Sequence, residues 1–481
     1  MKESESQYIA AHRQKIHAEF EDMIEKERLQ DCNMAYSLLS RIPDGVVALL
    51  QIYEKFIANK GRDIVVKAGN TVLKDPRDFV EALMALHAKY DTFCTKVFNA
   101  DTAFTAAVDK AFTTIINSNS GTPSVNCSEI LARYCDVLLK KGTKALAADV
   151  DAEEKLARVI ILFKYISDKD VFQKFYARAL AKRLINGTSA SDEAESNMIS
   201  RLKAACGVEY TSRLQRMFTD IALSTELTGD FKEFVDKASL NVGGVDTSVM
   251  VLTQGSWPLT GLSGTEFQLP VELEKSVAHF TTFYTKHYNG RKLNWLYHLS
   301  RADVRLTFCD KRYELNVSLH QLGTLLLFNG PPTLSLKDIR EATKLNDADI
   351  QRIFKTFLDI KLMSQSGTGD ETQFTLNEKF TSKRIKIKVS AALQMDTPQE
   401  TDATRKAIDD DRKLYIQAAI VRVMKSRKEL SHTHLMQEVI DQSKSRFAPS
   451  VAMIKKCIEQ LIEKQYLDRS EQHRDRYVYI S

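Results

Sequence analysis

No proline interrupts the chain between Pro123 and Pro258, and through that stretch apolar residues recur at spacings of three and four, as in Leu156, Val159, Ile160 and Phe163. That is the α-helical period, and a proline inside it would remove a backbone donor and clash with the turn before it. So long a stretch without one predicts packed amphipathic helices, a four-helix bundle over 127–245. Residues 6–117 carry a similar pattern, broken near Pro43 and Pro76. The polar run Asn117, Ser118, Asn119, Ser120, Gly121, Thr122, Pro123 reads as the linker that closes this first helical unit, residues 1–120.

After residue 245 the period changes to two. Val249 and Val251, then Val304, Leu306 and Phe308, alternate with polar neighbours, and Tyr313, Leu315 and Val317 follow Asp310 and Lys311 as the second arm of a hairpin. Ser335 to Leu345 and Asn346 to Met363 read as two short helices with polar starts, after which Phe374, Leu376, Ile385, Ile387 and Val389 resume the alternation. Residues 246–390 are therefore predicted as a mixed α/β region. Residues 391–411, with Asp396, Thr397, Pro398, Gln399, Glu400 and the triple Asp409, Asp410, Asp411, lack apolar periodicity and read as a mobile linker and hinge. Beyond it come a helix from 412 to 428, a second opened by Ser431, a third opened by Ser450, and a terminal aromatic strand pair. Three helices and a hairpin make a winged helix over 412–481. The predicted fold class is thus mainly α with one mixed α/β domain.

Charge is uneven along the chain. The net charge is +5. From Arg412 onward, fourteen Lys and Arg stand against eight Asp and Glu, so the basic surplus belongs to the terminal module. Seven scattered cysteines (Cys32, Cys94, Cys127, Cys135, Cys206, Cys309 and Cys457) form no Cys-x-x-Cys pair, which predicts reduced thiols and argues against a zinc site. The polar start Met1, Lys2, Glu3, Ser4, Glu5 has no signal-peptide core, and no apolar run reaches the roughly twenty residues of a membrane span. A cytoplasmic and nuclear protein is expected. No glycine-rich phosphate loop and no G-x-S-x-G occurs, so no catalytic residue and no cofactor is assigned.

In the terminal module, Ile416, Ile420, Val423 and Leu430 mark an inward stripe, while Arg422, Lys425 and Lys428 fall on a solvated face. This module resembles the end of the cullins. The likeness lies in the run Ile420 to Lys428, in Ile454, Lys455, Ile458, Leu461, Ile462, Glu463, Lys464, Tyr466, Leu467 and Arg469, and in the terminal Tyr477, Val478, Tyr479, Ile480, Ser481. Ser189, Ala190, Ser191, Asp192, Glu193 and Gly255, Ser256, Trp257, Pro258 are of the SCF-type, cullin-one branch, with the elongin-type branch as near competitor.

The resemblance implies a non-catalytic scaffold of a RING-type ubiquitin ligase. Its parts would be the last helical repeat of the cullin stalk, a bundle, an α/β cullin homology domain with an internal winged-helix-like part, and the C-terminal winged helix. It implies that Lys425, the lysine directly after the Met of the run, accepts a ubiquitin-like neddylation modifier through an isopeptide bond, with Arg422 and Lys428 as neighbours. Implied partners are a RING-box protein on the mixed region, a ubiquitin-conjugating enzyme, the modifier and its ligation machinery, and a cullin exchange factor.

A stripe of Lys174, Arg178 and Lys182, with Arg183 beside it, lies in the neighbourhood where the family has a basic groove for the acidic tail of the conjugating enzyme; a plain solvated face competes with that reading. Trp257 and Trp295 read as core packing. The resemblance implies a chain that starts inside the third stalk repeat, as a fragment or a shortened paralogue, so an SCF adaptor is not expected to bind. A winged-helix DNA-binding protein is the alternative from another class, and steep loss of affinity with salt would mark it.

Overall fold

The computed structural model describes residues 2–69, 72, 75–118, 126–142, 149–259, 266–389, 398–470, 473 and 475–480. Residues 119–123 of the first expected linker and 391–397 of the second lie outside them. The chain divides into two compact units, Met1–Gln215 together with Asp402–Ser481, and Arg216–Thr401.

The first unit begins with five helices: α1 Lys2–Glu25, α2 Leu29–Leu39, α3 Val47–Ala68, α4 Arg77–Val97 and α5 Thr102–Asn117. Their apolar faces close on an aromatic cluster in which Phe98 and Phe104 stack at 3.7 Å between ring centroids and Tyr53 meets both edge-on. Asp101 fixes the start of α5 by accepting from the Ala103 amide at 2.8 Å and from the Tyr36 hydroxyl at 2.7 Å. Next come α6 Cys127–Leu139, α7 Asp149–Lys164, α8 Lys169–Asn186, α9 Asp192–Cys206 and α10 Val208–Lys237, which belongs to the second unit from Arg216 on.

The second unit holds α11 Val271–His287 and a sheet of β1 Arg301–Leu306, β2 Tyr313–Ser318 and, far along the chain, β6 Lys386–Lys388. Between them run α12 Leu319–Leu326, β3 Thr333–Ser335, α13 Leu336–Thr343, α14 Asp347–Asp359, β4 Met363–Ser366, β5 Gln373–Leu376 and finally β6 Lys386–Lys388. The pairs β1–β2, β3–β5 and β4–β5 are antiparallel, whereas β6 returns parallel to β2. Helices α12 and α13 open with capping boxes on Ser318 and Ser335, and α14 with Asn346 accepting from the Asp349 amide. Helices α12 to α14 and the β3–β5–β4 sheet share a core that includes Leu315, Ile339, Ile350, Phe354, Phe357 and Phe374.

The remainder of the first unit is α15 Pro398–Arg427, β7 Glu429–Ser431, α16 His432–Ser443, α17 Val451–Glu463, β8 Leu467–Arg469 and β9 Arg476–Tyr479. Strand β9 lies between β7 and β8, so the wing is a three-stranded sheet. Ile416, Ile420, Val423, Leu435, Val439, Ile454, Ile458 and Leu461 fill the core between the three helices.

Two expectations need correction. Residues 398–411, read as part of a mobile linker, are the first half of α15. Val249 and Val251 belong to no sheet: residues 247–252 form no strand, and their backbone bonds to side chains of α10.

All seven cysteines are free thiols and five of them are buried. No helix among the described residues is long and apolar enough to cross a membrane, and no group of three His, Cys, Asp or Glu among them could hold a metal.

Arg183 also departs from its expected place. It is fully buried, with Nε and Nη2 on the Glu195 carboxylate at 2.6 and 2.8 Å and Nη1 on Asp136 at 2.6 Å. Ser189 donates to the same carboxylate at 2.9 Å, and the Tyr176 ring lies 5.6 Å beneath the guanidinium. A buried ion pair gains little over an apolar one, but removing one partner strands the other charge. Glu195→Gln should therefore lower the stability of the first unit by about 3–5 kcal/mol in urea unfolding; a loss below about 1 kcal/mol would mean that Arg183 reaches water.

Candidate modification site and charged surfaces

Helix α8 and the first half of α15 run antiparallel and meet along a line of charge. Arg412 places Nε 2.5 Å and Nη2 2.7 Å from the Asp170 carboxylate, with Nη2 3.0 Å from Asp168. Four residues further along α8, Lys174 pairs with Asp411 at 2.6 Å, and four beyond that Arg178 donates to the Thr404 hydroxyl at 2.6 Å. A spacing of four keeps successive α8 positions on one face, so the contacts form a seam. Arg405 extends it by bonding Glu129 of α6, whose side chain is only 2% exposed, at 3.0 Å. Ile408 is the buried apolar residue of this half of α15.

A second contact ties the winged helix to the same bundle. The Asp170 amide donates to the Arg446 carbonyl at 3.2 Å, and the Arg446 guanidinium pairs with Glu209 at the start of α10. Arg412 and Arg446 also lie over the Phe447 and Tyr415 rings at 4.7 and 4.9 Å, so each cation is held by a carboxylate on the bundle and an aromatic face on the winged helix.

The second half of α15 is the first helix of the winged helix. Ile416, Ile420, Val423 and Met424 turn into the core, and Lys428, at φ 66°, ends the helix. Of the three cations expected on the outer face, Arg422 donates to Gln442 at 3.2 Å and Lys428 lies over the Tyr479 ring at 5.1 Å. Lys425 is exposed, and its side chain makes neither a hydrogen bond nor an ion pair with any described residue. Beside it a shallow groove runs between Leu414, Ala418 and Val421 on one wall and Lys464 and Tyr466 on the other. A free amine on a rigid helix, beside an open groove, is a chemically available nucleophile. The outward face of α17 mixes Lys455 and Lys456 with Glu459 and Glu463, which differs from the clustered basic face expected of a helix that enters a DNA groove.

The expected basic groove on α8 is therefore corrected. Lys174 and Arg178 bond to α15, Arg183 is buried, and Lys182 lies half-buried on the same helix. Lys174 of the stripe and Asp411 of the acidic run, which the sequence suggests belong to a partner surface and a hinge, bind each other. Exposed cations missed by the sequence reading occur in the second unit. Lys311 and Arg312 precede β2, Lys383 and Arg384 precede its parallel partner β6, and none of these four exposed cations is ion-paired among the described residues. The alternation from Lys383 through Arg384, Lys386 and Lys388 was the available signal.

Comparison with known proteins gives three family matches. Residues 1–228 match a Cullin alpha solenoid domain, 251–380 a Cullin alpha+beta domain, and 411–473, which include Lys425, a Cullin protein neddylation domain. The chain is 42% identical to Cullin-1 of Dictyostelium discoideum, 38% to Cullin-1 of Schizosaccharomyces pombe and 40% to Cullin-2 of Caenorhabditis elegans. These alignments cover 98, 99 and 98% of this chain but 63, 63 and 62% of the relatives, so the chain spans a little under two thirds of their length.

Arg412→Ala should free the first half of α15 from α8 by removing its most enclosed ion pair. Amide exchange at residues 402–411 should speed up about tenfold or more, corresponding to roughly 1.5–3 kcal/mol of lost charge-assisted bonding, while α17 stays protected. Unchanged exchange at 402–411 would show that the seam does not hold the helix.

Proposed function

The chain belongs to the cullin family, and from that premise we propose that it is a non-catalytic scaffold of a cullin-RING ubiquitin ligase whose regulatory attachment point is Lys425. The observation that carries this reading is the free, exposed amine of Lys425 within the neddylation-domain match. In the proposed step the deprotonated Nζ attacks the thioester carbonyl of the modifier carried on its conjugating enzyme. The C–N bond forms, the C–S bond breaks, the carrier cysteine leaves as thiolate, and the amine proton passes to the carrier enzyme. No base from this chain is required, which is consistent with the absence of any described acid paired to Lys425.

A RING-box protein binds the mixed α/β region by strand addition and brings the ubiquitin-conjugating enzyme, leading to ubiquitin-dependent degradation of a recruited substrate. Attraction of an acidic conjugating-enzyme tail falls to Lys311, Arg312, Lys383 and Arg384 rather than to α8, because these four cations are exposed and unpaired among the described residues. Such attraction speeds encounter and is screened by salt. Adaptor binding is not assigned to these residues.

The test is co-expression with a RING-box protein and a neddylation reaction on wild type and Lys425→Arg. One modifier should be added to wild type and none to the variant; modification that survives the substitution would keep the scaffold and remove Lys425 as its acceptor. On the ligase itself, Lys383→Glu with Arg384→Glu should slow ubiquitin transfer from an acidic-tailed conjugating enzyme several-fold at low salt and little at high salt. Equal rates at low salt would clear these cations of the role.

A further inference from the structure

Residues 249–253 belong to no sheet, and bonds from every second amide to one helix mark them as extended. From α10, Thr228 Oγ1 accepts from the Val249 amide at 3.2 Å and lies 3.2 Å from the Val249 carbonyl. Ser224 Oγ accepts from the Val251 amide at 2.8 Å. Asp220 accepts from the Thr253 amide at 2.7 Å, from the Thr253 hydroxyl at 2.9 Å and from the Trp257 indole at 2.8 Å. Asp220 and Ser224 are 3 and 4% exposed.

The spacing explains why a helix can replace a strand here. Four helical residues rise about 6.0 Å, and two extended residues span about 6.7 Å, so rungs at 220, 224 and 228 match amides at 253, 251 and 249. In an extended chain the amide and carbonyl of successive residues point to opposite edges. The groups of Val249, Val251 and Thr253 therefore face the helix, and those of Ser248, Met250 and Leu252 face away, where no described residue bonds them. Met250 is 48% exposed. A lone strand of this length does not persist in water by itself.

We propose that Asp220, Ser224 and Thr228 are positioning residues that hold 249–253 as a strand with one free edge, and thereby set how tightly an extended segment of the RING-box partner adds to it. This rests on the RING-box reading above and deepens it. The side chains touch no partner; they act by removing the ordering cost that strand addition would otherwise carry.

Ser224→Ala combined with Thr228→Val removes two rungs and leaves Asp220, Thr253 and Trp257 in place. Thr228→Val alone covers the case in which the pair does not fold, and Thr228→Ser, which keeps the hydroxyl, is the conservative control. Amide exchange at Val249 and Val251 is measured on the free chain, and affinity is measured against a RING-box protein. The pair should exchange faster at both amides and bind roughly tenfold more weakly, Thr228→Val about threefold more weakly, and Thr228→Ser like wild type. Faster exchange with binding within about twofold of wild type overturns the proposal and leaves the RING-box reading standing, as does unchanged exchange. A wild-type chain that binds no RING-box protein overturns both.

Discussion

Arg412 ends a seam that sets the direction of the helix carrying the proposed modification site. On one side it closes on Asp168 and Asp170 at the start of α8; on the other, α15 continues without a break to Lys425. Thirteen helical residues separate the two side chains, about 20 Å of axial rise. The direction in which Lys425 points is thus inherited from charge pairs well removed from it. Exposed pairs such as Lys174–Asp411 contribute little singly. The Arg405–Glu129 and Arg412–Asp170 contacts matter more, because Glu129 is buried and Arg412 is 13% exposed.

The two units use the same device for different ends. In the first, side chains spaced by four on α8 capture a helix; in the second, side chains spaced by four on α10 capture an extended segment. A helix face presents donors and acceptors at a nearly fixed pitch, so it orders whatever chain matches that pitch. Both ladders hold a segment of chain in a fixed place, which is what the proposed scaffold role would ask of them.

How legible this was in the sequence follows from the range of each interaction. Ser335, Asn346, Ser431 and Ser450 each open a helix by bonding an amide three residues on, so helix starts could be read locally. The inward stripe of Ile416, Ile420 and Val423 was equally local, and with it the outward face of Lys425. The first half of α15 was not legible, because between 402 and 411 it buries one apolar residue, Ile408, and docks through charges whose partners precede it by more than two hundred residues. Arg183 failed for a related reason: one position past the Lys182 stripe turns the side chain into the core, where Glu195 awaits it. The alternation at Val249 and Val251 gave the right backbone conformation and the wrong partner, since a period of two reports extension and not what lies alongside.

The most direct test of the account is to map the isopeptide remnant by mass spectrometry on the chain after modification in the presence of a RING-box protein. The account predicts a single remnant on Lys425, the cation of the outer face left without a described partner. A remnant on Lys428 instead, or one spread evenly over Lys413, Lys425, Lys428 and Lys464, would contradict it, because neither the orientation of α15 nor the engagement of its other cations would then select the site.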